Sequence, residues 1–278
     1  PFPLIPLAGA GAISEATGTI IEKNILRNKK VNFVSYDVFS FFAILILMIP
    51  IFLILGYFLP EVFAFRVSSE AFQLNHLLVL AGIVIAGVLA NYFIFFAMKW
   101  EKMTIIEPIR LMQPLFIIFL AFFFYSSERQ TQPGIIIASI IAALALVFSH
   151  IKKHHVQFNK YSLAALFGSL FFALDMALSK AIIAYYSPIT LYAFRCFFIF
   201  ILTFVIFRPK KVFSMGTNVW RNGMIAAVIW IFYRFLLYTS YVAEGVILTT
   251  LLFILAPILI CIFSAIFFKE KMSIRNII

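Results

Sequence analysis

Apolar residues along this chain do not alternate with polar ones; they run together. Stretches of about 20 mainly apolar residues, long enough to cross a bilayer as helix, recur throughout and are separated by short polar links. The pattern predicts helices over residues 4–24, 38–59, 75–98, 104–126 and 134–151. It then predicts residues 162–185, 189–207, 219–242 and 246–268, with a tenth helix opening near Ser273. Pro50 is expected to kink the second helix. Residues 60–74 form the longest early loop, and IKKHHVQFNK and RPKKVFSMGTN are basic links.

Two stretches share a layout. Residues 91–128 read NYFIFFAMKWEKMTIIEPIRLMQPLFIIFLAFFFYSSE, and residues 234–270 read RFLLYTSYVAEGVILTTLLFILAPILICIFSAIFFKE. Aligned without gaps, Asn91 meets Arg234, Glu101 meets Glu244 and Pro114 meets Pro257; the closing acids Glu128 and Glu270 fall one position out of register. Each stretch is two apolar helices joined by a very short turn, with a proline inside the second. Lys23 and Lys180 also match, near the ends of the first and sixth helices. The chain therefore reads as two copies of one unit: residues 1–151, a basic linker over 152–161, and residues 162–278 lacking most of a fifth helix.

Five is odd, so the copies are expected to enter the membrane in opposite senses. Loop charge agrees. Lys and Arg number 3, 1, 2 and 1 in the loops after helices one to four, and 0, 4, 0 and 3 in the matching loops, counting Arg221 and Arg275 in the first turn of the helices that follow. Each loop that is basic in one copy is poor in bases in the other, as an inverted repeat requires when bases stay inside. The expected fold class is an all-α polytopic membrane protein of two inverted five-helix repeats, a ten-helix plan with the last helix truncated.

Composition sharpens this. Of 278 residues, 64% are hydrophobic and 36 are Phe, while 12% are charged against about a quarter in a soluble domain. The net charge of +11 sits in short loops, where it orients helices in a membrane and does not read as a nucleic-acid surface. Cys196 and Cys261 fall inside apolar runs and read as small buried hydrophobes. His150, His154 and His155 have the spacing of one histidine box, but a di-iron membrane enzyme needs several, and only His76 remains elsewhere. No phosphate loop or nucleophile elbow is present. The chain has no starting Met and ends in SIRNII, the opening of another helix, so both ends read as cut.

The repeats, the segments PLFIIFLAFFFYSSE and PILICIFSAIFFKE, and the tight turns at Glu101 and Glu244 together resemble the EamA type of the drug/metabolite transporter superfamily. The resemblance covers essentially the whole chain. It implies ten helices around a central cavity lined by both repeats, carrying small solutes such as amino acids, other metabolites or drugs. It also implies both termini in the cytoplasm, whereas the loop charges put the N-terminus outside.

An ionisable group near the bilayer centre costs about 2.5–3.5 kcal/mol, so it calls for a partner or a use. Glu15, Glu107, Arg110, Asp175, Arg195 and Arg234 are such groups. On one reading they line a polar cavity, acids holding a proton or an amine and arginines a carboxylate or phosphate. On the other they neutralise one another; Glu107 and Arg110, three apart on one helix face, suit that. Pro114, matched by Pro257, is expected to break its helix toward a cavity, with Gln113 and Asn91 as lining residues. Trp230, Arg234 and Tyr238 are four apart, so rings on that face could cover the arginine. Glu101, Glu128, Glu244 and Glu270 mark helix ends.

The expected function is secondary transport of a small polar metabolite, an amino acid or similarly charged solute. The central cavity would lie between helices one, three, four, six, eight and nine and work by alternating access. The partners are the solute, the lipid bilayer and a coupling proton or ion, the proton carried by Glu15 or Asp175. No nucleic acid, cofactor, metal or enzymatic activity is expected, and the location is the cell (plasma or inner) membrane. The alternative is a membrane-integral enzyme or a non-transporting assembly subunit.

Overall fold

The computed structural model describes residues 4–126, 159–209, 212 and 214–269, with the isolated positions 134, 137 and 141. Glu128, His150, His154, His155, Glu270, the expected tenth helix and nearly all of the fifth helix and linker lie outside them. The described residues are helical throughout, joined by short turns, with one isolated bridge between Val67 and Tyr186. In chain order the helices are α1 Leu4–Arg27, α2 Phe33–Pro50, α3 Leu74–Trp100, α4 Met103–Arg110 and α5 Met112–Phe124. After the gap come α6 Lys160–Ile182, α7 Pro188–Phe207, α8 Thr217–Glu244, α9 Val246–Phe253 and α10 Ala256–Phe268. Among the described residues, seven helical stretches are long and apolar enough to cross a membrane. α1, with 24 residues, is also long enough, but Glu15, Glu22 and Lys23 lower its hydropathy.

Local chemistry sets the boundaries. Asn32 caps α2 by accepting from the Val34 amide, so α2 begins at Phe33, not at residue 38 as the apolar pattern suggested. Asn159 caps α6 and Ser187 caps α7 in the same way. Beyond Pro50 the chain relaxes into a π-turn, Ile51–Leu55, before one last helical turn. The fourth and ninth predicted helices are each broken. A proline ring collides with the carbonyl four residues earlier. α4 ends at Arg110, four before Pro114, and α9 ends at Phe253, four before Pro257. Gly245, joining α8 to α9, has φ 83°, which glycine adopts without a Cβ clash.

α1 packs on α8, α9 and α10; α6 packs on α3, α4 and α5; α2 meets α3, α7 and α8; α7 meets α3 and α8. α4 rests on α10, and α5 on α9. At one end the Lys23 ammonium donates to the Met98 and Glu101 carbonyls. Lys99 donates to the carbonyls of Leu26, Asn28 and Val31 at 2.8, 2.7 and 2.8 Å. Asn159 donates to Glu101 Oε2 at 3.0 Å, and Arg27 stands 4.8 Å from the centre of the Phe268 ring. At the other end the Ser68 amide donates to Tyr185 O, the Ser187 amide to Arg66 O, and Lys180 to Tyr241 O at 2.8 Å. The flanks between carry exposed large apolar side chains such as Leu53, Tyr57, Phe119 and Phe267. In a soluble protein such a surface would aggregate; here it faces lipid.

Candidate functional site: a charged pocket among the broken helices

The pocket forms where α1, α6 and α8 meet the two broken helices. Its polar wall is Glu15 from α1 with Arg110 and Gln113 from the α4–α5 break; Phe172, Tyr233 and Phe253 supply much of the rest. The cavity is small, about 30 Å³, room for a few waters at most. Arg110 is held between two acids: Nη1 donates to Glu107 Oε1 at 2.7 Å, and Nη2 lies 3.6 Å from Glu15 Oε1. The grouping is only partly satisfied. Among the described residues, Glu107 Oε2, Arg110 Nε and Gln113 Oε1 are buried without a hydrogen-bond partner, a state that costs about 1–3 kcal/mol per group.

A second charged cluster lies behind this wall. Asp175, fully buried, takes a bidentate contact from Arg195: Nε to Oδ1 at 3.0 Å and Nη2 to Oδ2 at 2.6 Å. Arg234 Nη2 approaches the same oxygen at 3.7 Å. Two arginines therefore share one carboxylate. The surplus charge on Arg234 is spread over aromatic faces. Its guanidinium carbon is 4.9 Å from the Phe172 ring centre and 5.9 Å from those of Tyr192, Tyr233 and Tyr238. Gly87 makes room for the cluster, since a Cβ there would stand 3.1 Å from Arg195 Nη2 and 2.6 Å from Ile199 Cδ1.

The ten nominated residues thus divide. Glu15, Arg110 and Gln113 line the pocket, with Glu107 directly behind Arg110. Asp175, Arg195, Arg234 and Tyr238 form the second cluster, joined to the pocket through Phe172 and Tyr233. Trp230 shares the Arg234 helix but does not cover the arginine; it is half-buried and meets Tyr233 edge-on at 5.3 Å. Asn91 donates to Gly87 O, one turn back on its own helix, at 2.7 Å and does not line the pocket. Helix three, expected in the wall, contributes no lining residue. Glu101 acts as a helix-end group, accepting from the Lys102 amide and from Asn159, both at 3.0 Å. Among the described residues no cluster of His, Cys, Asp or Glu could hold a metal ion.

Sequence reasoning missed Glu22 and Asp37, 4% and 1% exposed. The signal was there for Glu22: Glu15, Thr19 and Glu22 fall four and three apart on one helix face, and all three are buried. Asp37 was hidden because the predicted helix began one residue after it.

The EamA-like transporter family model matches residues 159–278. The chain is an integral, multi-pass membrane protein. No curated protein matches the chain. One crystal structure is similar to it with a TM-score of 0.67 over 98% of this chain and 91% of that chain, at 16% identity; this chain shares that protein's fold.

Proposed function

We propose that this chain, whose residues 159–278 match the EamA-like transporter family, is a secondary transporter in the cell membrane, moving a small polar metabolite by alternating access through the pocket at Glu15, Arg110 and Gln113. The observation that carries this reading is a buried, incompletely paired polar pocket at the junction of two broken helices, a place where transporters build sites. The Arg110 guanidinium suits a carboxylate or phosphate and the Glu15 carboxyl an amine, so an amino acid or similarly charged solute fits best. A non-transporting subunit would gain nothing from leaving Arg110 Nε and Gln113 Oε1 unpaired. The cavity as it stands is smaller than a solute, so loading requires the wall to open.

Packing supports two halves, residues 1–151 and 162–278. Exchange α1 with α6, α2 with α7, α3 with α8, α4 with α9 and α5 with α10: every packing pair named above maps onto another pair or onto itself. Lys23 and Lys180 support the same exchange, since their carbonyl acceptors at Met98 and Tyr241 are aligned positions. The ends support inversion. The end of α1, the end of α3 and the start of α6 meet at one face, so α1 and α6 run in opposite directions. That face also holds Arg27, Lys99, Lys102, Lys160 and Lys269, as the cytoplasmic side should.

The test is a thermal-shift screen of amino acids, nucleotides and sugar phosphates on the purified protein. A ligand at a hundred times its Kd stabilises by about 2.7 kcal/mol. Carboxylate- or phosphate-bearing solutes should raise Tm and cross sealed proteoliposomes, and both effects should vanish in Glu107→Gln/Arg110→Met, which removes the arginine together with the charge of the acid it hydrogen-bonds. Equal stabilisation in that variant, or binding without movement across the bilayer, contradicts the proposal.

A further inference from the structure

The most conspicuous chemistry outside the pocket lies on the same α1 face, about 10 Å further along at 1.5 Å per residue. Asp37 is 1% exposed, and among the described residues neither of its carboxylate oxygens has a hydrogen-bond partner. Glu22, 4% exposed, forms no ion pair among the described residues. The fields of Tyr36, Trp230 and Asp37 act on it, yet the buried Tyr36 hydroxyl and the Trp230 indole N–H close no hydrogen bond. The cations whose charge acts on them are Arg110 for Glu22 and Arg195 for Asp37, and each already pairs with another acid. The ammonium of Lys23 is turned toward the Met98 and Glu101 carbonyls, and that of Lys99 toward the end of α1.

Two carboxylates so enclosed cannot both stay ionised without a counter-charge in contact. By contrast Glu15 and Asp175, the acids the sequence nominates for coupling, each stand against an arginine. We propose that Glu22 and Asp37 form a proton site separate from the solute pocket. An O–H bond forms on one carboxylate with a proton taken from water, and the proton returns to water when the site opens. Tyr36 and Trp230 stand as the donors that would hold the remaining charge. As a coupling device this rests on the carrier reading; as a proton site it does not.

The experiment is an infrared difference spectrum of the full chain in proteoliposomes between about pH 5 and about pH 9, a range that brackets buried carboxyls. A protonated-carboxyl C=O band should be present at low pH, disappear at high pH, and be lost in Asp37→Asn/Glu22→Gln while surviving in Glu15→Gln. Tyr36→Phe, which leaves both acids in place, should shift its frequency. No band, a band unchanged in the double variant, or a band abolished by sodium at constant pH overturns the proposal, the last in favour of a metal-cation site. Uptake of a radiolabelled amino-acid mixture separates the two readings. The band without any uptake sinks the carrier and leaves the proton site; uptake without the band does the reverse.

Discussion

Asp175 is the residue on which the interior depends most. It is fully buried and answers for two arginines, so removing one partner leaves charge stranded in a low-dielectric interior. Asp175→Asn, which strands both arginines, should destabilise the protein by about 3–5 kcal/mol, and Asp175→Asn/Arg195→Met, which leaves only Arg234 with its aromatic cover, should recover part of that loss. Chemical or thermal unfolding in detergent measures both. At this scale the sequence was informative wherever a charge interrupted an apolar run. Glu15, Arg110, Asp175, Arg195 and Arg234 were all visible that way, and all are buried. Their pairings were not visible. Nothing in the chain says that Asp175 meets Arg195, one helix on, more closely than Arg234, because that depends on how three helices lean together. The rings over Arg234 were misassigned for the same reason. Trp230 and Tyr238 are both four residues away, yet Tyr238 covers the arginine and Trp230 turns toward Tyr233.

Among elements, the prolines were the most legible feature. Pro114 and Pro257 placed both breaks in advance, since the clash four residues upstream is a property of the ring and needs no tertiary context. The start of α2 was less legible, because Tyr36 and Asp37 look like loop residues until Asn32 is recognised as the cap. The matched lysines acquire a role in the structure, each tying the end of one long helix to carbonyls near the end of another. Lys180→Met should cost about 1 kcal/mol, a cation at a helix C-terminus. Lys23→Met should cost more, about 1.5–3 kcal/mol, since its ammonium is buried and holds two carbonyls. Equal and negligible losses in Tm would show that these contacts are incidental.

For the whole molecule, the succession of membrane-length helices could be read from spacing alone, while the pocket could not, because it is assembled from five helices that no local pattern brings together. The proposed inversion of the halves makes a prediction of its own. Cys196 and Cys261 are buried, so single cysteines placed on the surface report cleanly. Lys29→Cys and Ser214→Cys should react with an impermeant thiol reagent from one face of sealed vesicles, and Glu70→Cys from the other. Shared labelling of Ser214→Cys and Glu70→Cys would mean that the halves are not inverted. The proposal requires a single pocket reached in turn from either side, and Thr250 reports on it best. Thr250 lines the pocket, is 5% exposed, and its hydroxyl lacks a hydrogen-bond partner among the described residues. In a background lacking Cys196 and Cys261, Thr250→Cys should be modified from both faces of the membrane, with protection by the solute that the thermal screen identifies. Modification from one face alone would contradict alternating access.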